Sequence, residues 1–195
     1  MTRLWSCLRG LDVSLFHRVN HDWTHPWLDA FFPWLTDLNQ SRIAVFGALP
    51  VALAWWLYAG RAKALRTLLA LAMAVGLCDA VSHRFIKPLV ERDRPEKAGI
   101  AVVLRTRSHG GYSFPSIHAA NSFAGATVLG MVYPGWRWPA LLVAGLVAYS
   151  RVYTGVHFPG DVAAGALLGL LIGALAGAAL LRFFGGGRAR LRGKR

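Results

Sequence analysis

Residues 162–184 read VAAGALLGLLIGALAGAALLRFF, a stretch with one charge, Arg182, near its end. A helix needs about 20 apolar residues to cross a bilayer, so this segment is long enough to span one. Gly165, Gly169, Gly173 and Gly177 recur every four residues along it. Such a strip of small residues lies on one helix face and lets another helix backbone come close. Gly185, Gly186 and Gly187 end the helix, and the tail beyond holds Arg188, Arg190, Arg192, Lys194 and Arg195 with no acidic residue. A tail of that charge is expected on the cytoplasmic side.

Outward from this span, four more apolar runs stand at Ile43 to Ala59, Leu65 to Val81, Ala119 to Tyr133 and Pro139 to Tyr149. The last is short for a span, and helix continuing through Ser150 and Arg151 toward Tyr153 would carry Arg151 to the membrane boundary. The expected fold class is therefore all-α, an integral membrane helical bundle with five transmembrane helices. In Trp23 to Leu38, the aromatic residues Trp27, Phe31, Phe32 and Trp34 stand among Asp22, Asp29 and Asp37. That mixture suits an interfacial helix and leaves room for a short sixth span. The chain is expected to form one domain over 1–195, with 1–42 as an N-terminal interfacial region and 185–195 as the basic tail.

Composition agrees with a bilayer environment. The chain is 55% hydrophobic and 16% charged, with mean hydropathy +0.40, too apolar for an ordinary soluble domain. A net charge of +13 raises nucleic acid as a partner, but the basic residues fall in short segments between apolar runs and not along one stripe. No nucleic acid or protein partner is expected. Cys7 and Cys78 support neither a disulfide framework nor a cysteine metal site. The segment Met1 to Leu11 lacks the features of a removable signal peptide. Arg61, Lys63, Arg66 and Arg137 fall on the side of the tail in a five-span chain, which turns the loops after the second and fourth spans outward. The outward loop Lys87 to Arg107 is itself basic, against the positive-inside rule, and binding of an anionic substrate would account for it.

Three polar segments interrupt the apolar chain: Lys87 to Pro95 (KPLVERDRP), Tyr112 to His118 (YSFPSIH) and Ser150 to Asp161 (SRVYTGVHFPGD). Each stands at the outer end of a span, so all three can converge at one membrane face. Lys87, Arg94 and Arg151 are cations suited to phosphate oxygens, although any one alone reads as an ordinary juxtamembrane charge. Ser116 stands where it can cap the third span and leave backbone N–H groups aimed at an anion. Asp161 follows His157 by four residues; a turn between them would let the carboxylate accept from one imidazole nitrogen and leave the other exposed as a base or nucleophile. His17, His21, His25, His83 and His109 lack such a partner and read as amphipathic interfacial residues.

Lys87-x6-Arg94-Pro95, Pro115-Ser116-x-His118 and Ser150-Arg151-x5-His157-x3-Asp161 resemble the three signatures of the type 2 phosphatidic acid phosphatase family, whose superfamily includes vanadium haloperoxidases, bacterial acid phosphatases and glucose-6-phosphatase. The resemblance covers about Leu65 to Phe184. It implies a lipid phosphatase in which His157 is the nucleophile that becomes a phosphohistidine, Asp161 orients it and His118 protonates the leaving oxygen. Lys87, Arg94, Arg151, Ser116 and the backbone at Ile117 would hold the phosphate. Glu91 and Asp93 on one loop are a poor match to a dedicated metal cage, so neither a metal ion nor another cofactor is expected; the partners the resemblance implies are the lipid phosphate substrate and membrane lipids. Undecaprenyl diphosphate is the preferred substrate by family analogy, with the protein in a bacterial inner membrane and its site facing outward. Phosphatidic acid, phosphatidylglycerol phosphate and a lipid A phosphate are the alternatives. A non-catalytic carrier or binder of lipid phosphates is the reading from another class. The family usually has glycine where this chain has Ile117, and a β-branched residue would resist a positive φ there.

Overall fold

The computed structural model describes residues 2–37, 49–107 and 110–185. The start of the first apolar run (43–48), His109 and the tail from 186 onward lie outside them. The described residues are all-α, in the order α1 (Thr2–His17), α2 (Pro26–Thr36), α3 (Leu49–Val81), α4 (Lys87–Val90), α5 (Ile117–Val132), α6 (Arg137–Tyr153) and α7 (Pro159–Gly185). Sequence alone separates the first two apolar runs, whereas α3 joins their described parts through a break at Arg61, where φ 41° and ψ −123° leave the helical region. Two stretches, within Leu53–Lys97 and Pro159–Phe183, are long and apolar enough to cross a membrane. The helix α5 has 16 residues and α6 has 17, both below the ~20 of a full span. Length alone thus supports fewer than five spans among the described residues. The extension expected for α6 is present, since that helix runs to Tyr153.

The centre of the bundle is the pair α5 and α7. An added Cβ at Gly165 would strike the Ser116 carbonyl oxygen, and one at Gly169 would strike that of Ala120. The glycine strip therefore does what its spacing predicts, seating α7 directly on the backbone of α5. Ala70, Ala74 and Cys78 of α3 close the same core with Ala120, Ala124, Val128 and Ile172.

A second core lies at the site end. Phe16 of α1 meets Phe158 with ring centroids 5.4 Å apart, and Phe32 of α2 meets Tyr153 at 4.8 Å. His25 caps α2 by accepting from the Trp27 N–H, and Pro26 occupies its first turn, where no intrahelical donor is missed. The buried Asn20 pins the turn after α1, donating to the carbonyls of Val103 and Tyr153 at 2.9 and 2.8 Å. The N-terminal region is thus packed onto the ends of α6 and α7 beside the polar segments.

Candidate active site

Local backbone features place the candidate residues Lys87, Arg94 and His157. A π-helical turn, Ser82–Ile86, sits between α3 and α4; the extra residue of such a turn rotates the next side chains about the helix axis. Lys87 is buried there and donates from Nζ to the Tyr112 carbonyl. At Glu91 the chain enters the left-handed region, φ 48° and ψ 33°, a conformation of order 1–3 kcal/mol above the helical one for a non-glycine residue. That reversal sends Arg94 back toward the bundle, where Nε donates to the Gly111 carbonyl and Nη1 to that of Val156 at 3.0 Å. Gly155, at φ +86°, turns the chain out of α6, and a side chain there would strike Val102 and the Val103 carbonyl at 2.9 Å. His157 is two residues further on, its N–H donating to the Arg151 carbonyl, and Pro159 begins α7.

The three polar segments meet. His157 Nε2 lies 3.4 Å from Arg94 Nη1. On the other side of the ring, Nδ1 is 3.6 Å from Asp161 Oδ2, close enough for an ion pair but longer than a hydrogen bond. The Ser116 N–H donates to the Asp161 carbonyl at 2.9 Å. This bond ties the start of α5, with the half-buried Ile117 and His118, to the start of α7. Arg151 is 1% exposed and donates from Nη1 to the Thr36 hydroxyl of α2. Ser116 Oγ, Arg151 Nε and His157 Nδ1 are buried without hydrogen-bond partners. Each such atom costs about 1–3 kcal/mol, and a phosphoryl oxygen is the acceptor that suits the first two.

Burial pushes His157 down to about 4; Asp161 opposes the shift, while Arg151 and Arg94 deepen it. The imidazole is therefore neutral near pH 7, with a lone pair available on the nitrogen that faces Arg94.

Two local expectations are corrected. Ser116 occupies the N-cap position of α5 but its hydroxyl makes no cap bond, and its N–H is engaged by Asp161. That leaves the first-turn N–H groups beyond it, which lack intrahelical acceptors, as the candidates to meet an anion. Ile117 is the first residue of α5, and the positive-φ non-glycine residues described are Arg61 and Glu91; helical backbone accepts isoleucine without the strain anticipated. Sequence alone does not reveal Arg92, Asp12 and Thr36. Arg92 reads as one more loop cation, and Asp12 and Thr36 lie far upstream of the signatures with no spacing pattern to mark them.

The family model of the PAP2 superfamily matches residues 63–183, and the chain belongs to that superfamily. It is 37% identical over 114 residues to the lipid A 4′-phosphatase of Bacteroides thetaiotaomicron, covering 54% of this chain and 50% of that protein. It is 52% identical over 59 residues to the undecaprenyl-diphosphatase of Sulfolobus acidocaldarius, covering 30% and 29% of the two chains. The chain thus spans half the length of the first relative and under a third of the second. Its fold superposes on a transmembrane PAP2-type phosphatidylglycerolphosphate phosphatase from Bacillus subtilis with TM-score 0.64 and 26% identity, covering 89% of this chain and 86% of that one. With these relatives and its two long apolar stretches, the chain is an integral membrane protein.

Proposed function

We propose that the chain is a single-domain, metal-independent membrane phosphatase acting on a lipid-linked phosphate or diphosphate through a phosphohistidine. The observation that carries this reading is the buried His157, with Nε2 beside Arg94 and Nδ1 beside Asp161. A protein that only bound or carried lipid phosphates would need the cations but not a neutral histidine backed by a carboxylate.

In this reading Nε2 attacks phosphorus while Lys87, Arg94, Arg151, the Ser116 hydroxyl and the first-turn N–H groups from Ile117 onward hold the equatorial oxygens. Those fixed charges match the charge that shifts in the transition state, which is where most of the catalysis would come from. His118 gives its proton to the leaving oxygen, and water then attacks the phosphohistidine, regenerating Nε2 and releasing phosphate. The two histidines need opposite protonation states, so kcat/KM is expected to fall at both acidic and basic extremes. A flat profile with chemistry limiting would contradict the assignment. The cations supply the charge that a divalent ion would otherwise provide, so activity should persist in excess EDTA. Loss in EDTA with recovery on adding metal would refute this.

Undecaprenyl diphosphate is the preferred substrate, supported by the 52% identical stretch. The longer match to a lipid A 4′-phosphatase supports a lipid A phosphate as the second reading. The deciding experiment measures phosphate released in detergent from undecaprenyl diphosphate, lipid A, phosphatidylglycerol phosphate and phosphatidic acid. His157→Ala should fold and lose at least about 1,000-fold in kcat. Near-normal turnover in that variant would remove His157 as nucleophile, and lipid binding without release by the native protein would favour a carrier.

The site is proposed to face outward in a five-span topology, with the C-terminal tail cytoplasmic. Its support is the charge pattern of the loops and tail; the packing of α1 and α2 at the site end, through Asp12 to Gly160 and through Thr36 to Arg151, supports only an N-terminal interfacial region at that end.

A further inference from the structure

Arg92 lies between two carboxylates. Its Nη1 donates to Asp161 Oδ1 at 2.8 Å, and its Nη2 donates to Asp12 Oδ2. The other oxygen of Asp12 accepts from the Gly160 N–H at 2.7 Å, in the first turn of α7. The guanidinium carbon stands 4.2 Å from the Phe158 ring centroid, so stacking fixes its plane as well. Asp161 is fully buried; with Oδ1 held by Arg92 and Oδ2 accepting from the Phe158 N–H at 2.9 Å, its carboxylate is fixed before His157 is considered.

We propose that Arg92, held by Asp12 of α1, is a positioning residue that fixes the Asp161 carboxylate and limits how strongly it retains a proton on His157. This rests on His157 being the nucleophile. The charged groups that act on the His157–Asp161 pair are Lys87 from α4, Arg92 and Arg94 from the loop after it, and Arg151 from α6, with Asp12 of α1 behind Arg92; His118 of α5 stands two residues beyond Ser116, whose N–H bonds the Asp161 carbonyl. Arg92 differs from the other cations because it bonds the carboxylate directly. Without it, Asp161 Oδ1 loses its partner, the buried negative charge is no longer offset, and the carboxylate is free to turn onto Nδ1. Each change favours the imidazolium, whose Nε2 carries a proton in place of the lone pair needed for attack. A guanidinium spans two carboxylates at once, which a lysine ammonium does less well.

The test compares Arg92→Gln, Arg92→Lys and Asp12→Asn in detergent. One readout is the titration of the His157 imidazole by histidine-selective NMR, and the other is phosphate release from undecaprenyl diphosphate. Arg92→Gln should raise the His157 midpoint by at least about one pH unit and lower kcat/KM near neutral pH by about 10- to 100-fold. Arg92→Lys should leave the midpoint near the native value while losing about tenfold in rate. Asp12→Asn, which unlatches Arg92 but leaves its bond to Asp161, should lose less rate than Arg92→Gln does and should not raise the midpoint. An unchanged midpoint in Arg92→Gln, or a rise in both Arg92→Gln and Asp12→Asn, would overturn the proposal. If Arg92→Gln fails to fold, native rate in Arg92→Lys overturns it instead. Phosphate release surviving in His157→Ala would defeat the nucleophile assignment, while the titration still reads the clamp. An inactive His157→Ala with an unmoved midpoint in Arg92→Gln would defeat the clamp alone.

Discussion

His157 combines a buried ring, a cation on one nitrogen and a carboxylate on the other, and burial outweighs the carboxylate. The consequence extends to stability. In the unfolded chain an imidazole takes up its proton near pH 6.5, but in the folded protein only near pH 4. Between those values the unfolded state binds more protons, so stability should fall as pH drops from 6.5 toward 4 and lose nothing further from this group below that. Thermal unfolding of the native protein and His157→Gln across this range should show the steeper loss in the native protein; parallel curves would mean the ring is not held neutral. At this scale motif spacing marks Lys87, Arg94, His118, Arg151, His157 and Asp161 as candidates in the sequence, and the meeting of His157 with Arg94 and Asp161 follows that spacing. Arg92 and Asp12 are not marked, because their roles depend on a salt bridge between a loop and a distant helix, and no local pattern encodes that pairing.

The pair α5 and α7 shows why glycine position matters at the element scale. Gly76 of α3 has open space around its missing Cβ, whereas Gly169 has the Ala120 carbonyl pressed against it. Gly76→Ala should therefore stabilise by up to about 1 kcal/mol through helix propensity, while Gly169→Ala should destabilise by about 1–3 kcal/mol through overpacking. Chemical unfolding in detergent reads both, and equal signs would contradict the packing. Gly165→Ala would push on the Ser116 carbonyl, at the end of α5 that carries His118. It should lower kcat/KM by about tenfold or more, beyond any loss in folded fraction. The helical class, the glycine strip, the extension of α6 to Tyr153 and the Pro159 start of α7 were all readable from apolar periodicity and helix-end residues. The π turn before Lys87 and the left-handed Glu91 were not, since neither contains a glycine or proline, and Pro88 just beyond the π turn reads equally well as an ordinary helix start; at Glu91 the bond from Tyr112 accompanies the conformation against local preference.

Across the whole molecule, the polar machinery occupies one end, and Lys63, Tyr133 and Arg137 gather at the other. Lys63 Nζ sits 4.1 Å from the Tyr133 ring centroid, and a Cβ at Gly130 would lie 3.1 Å from Arg137. With both native cysteines replaced, Gly110→Cys beside the site should react with a membrane-impermeant maleimide in intact cells, and Gly135→Cys in the far turn only after permeabilisation. The reverse pattern would invert the proposed orientation. The N-terminal helices belong to the site end although the family signatures begin far downstream of them. A graft that transplanted only residues 63–183 into another scaffold would import the phosphate cradle and leave behind the aspartate that latches Arg92. Its performance would depend on whether the recipient happens to provide a carboxylate at that corner.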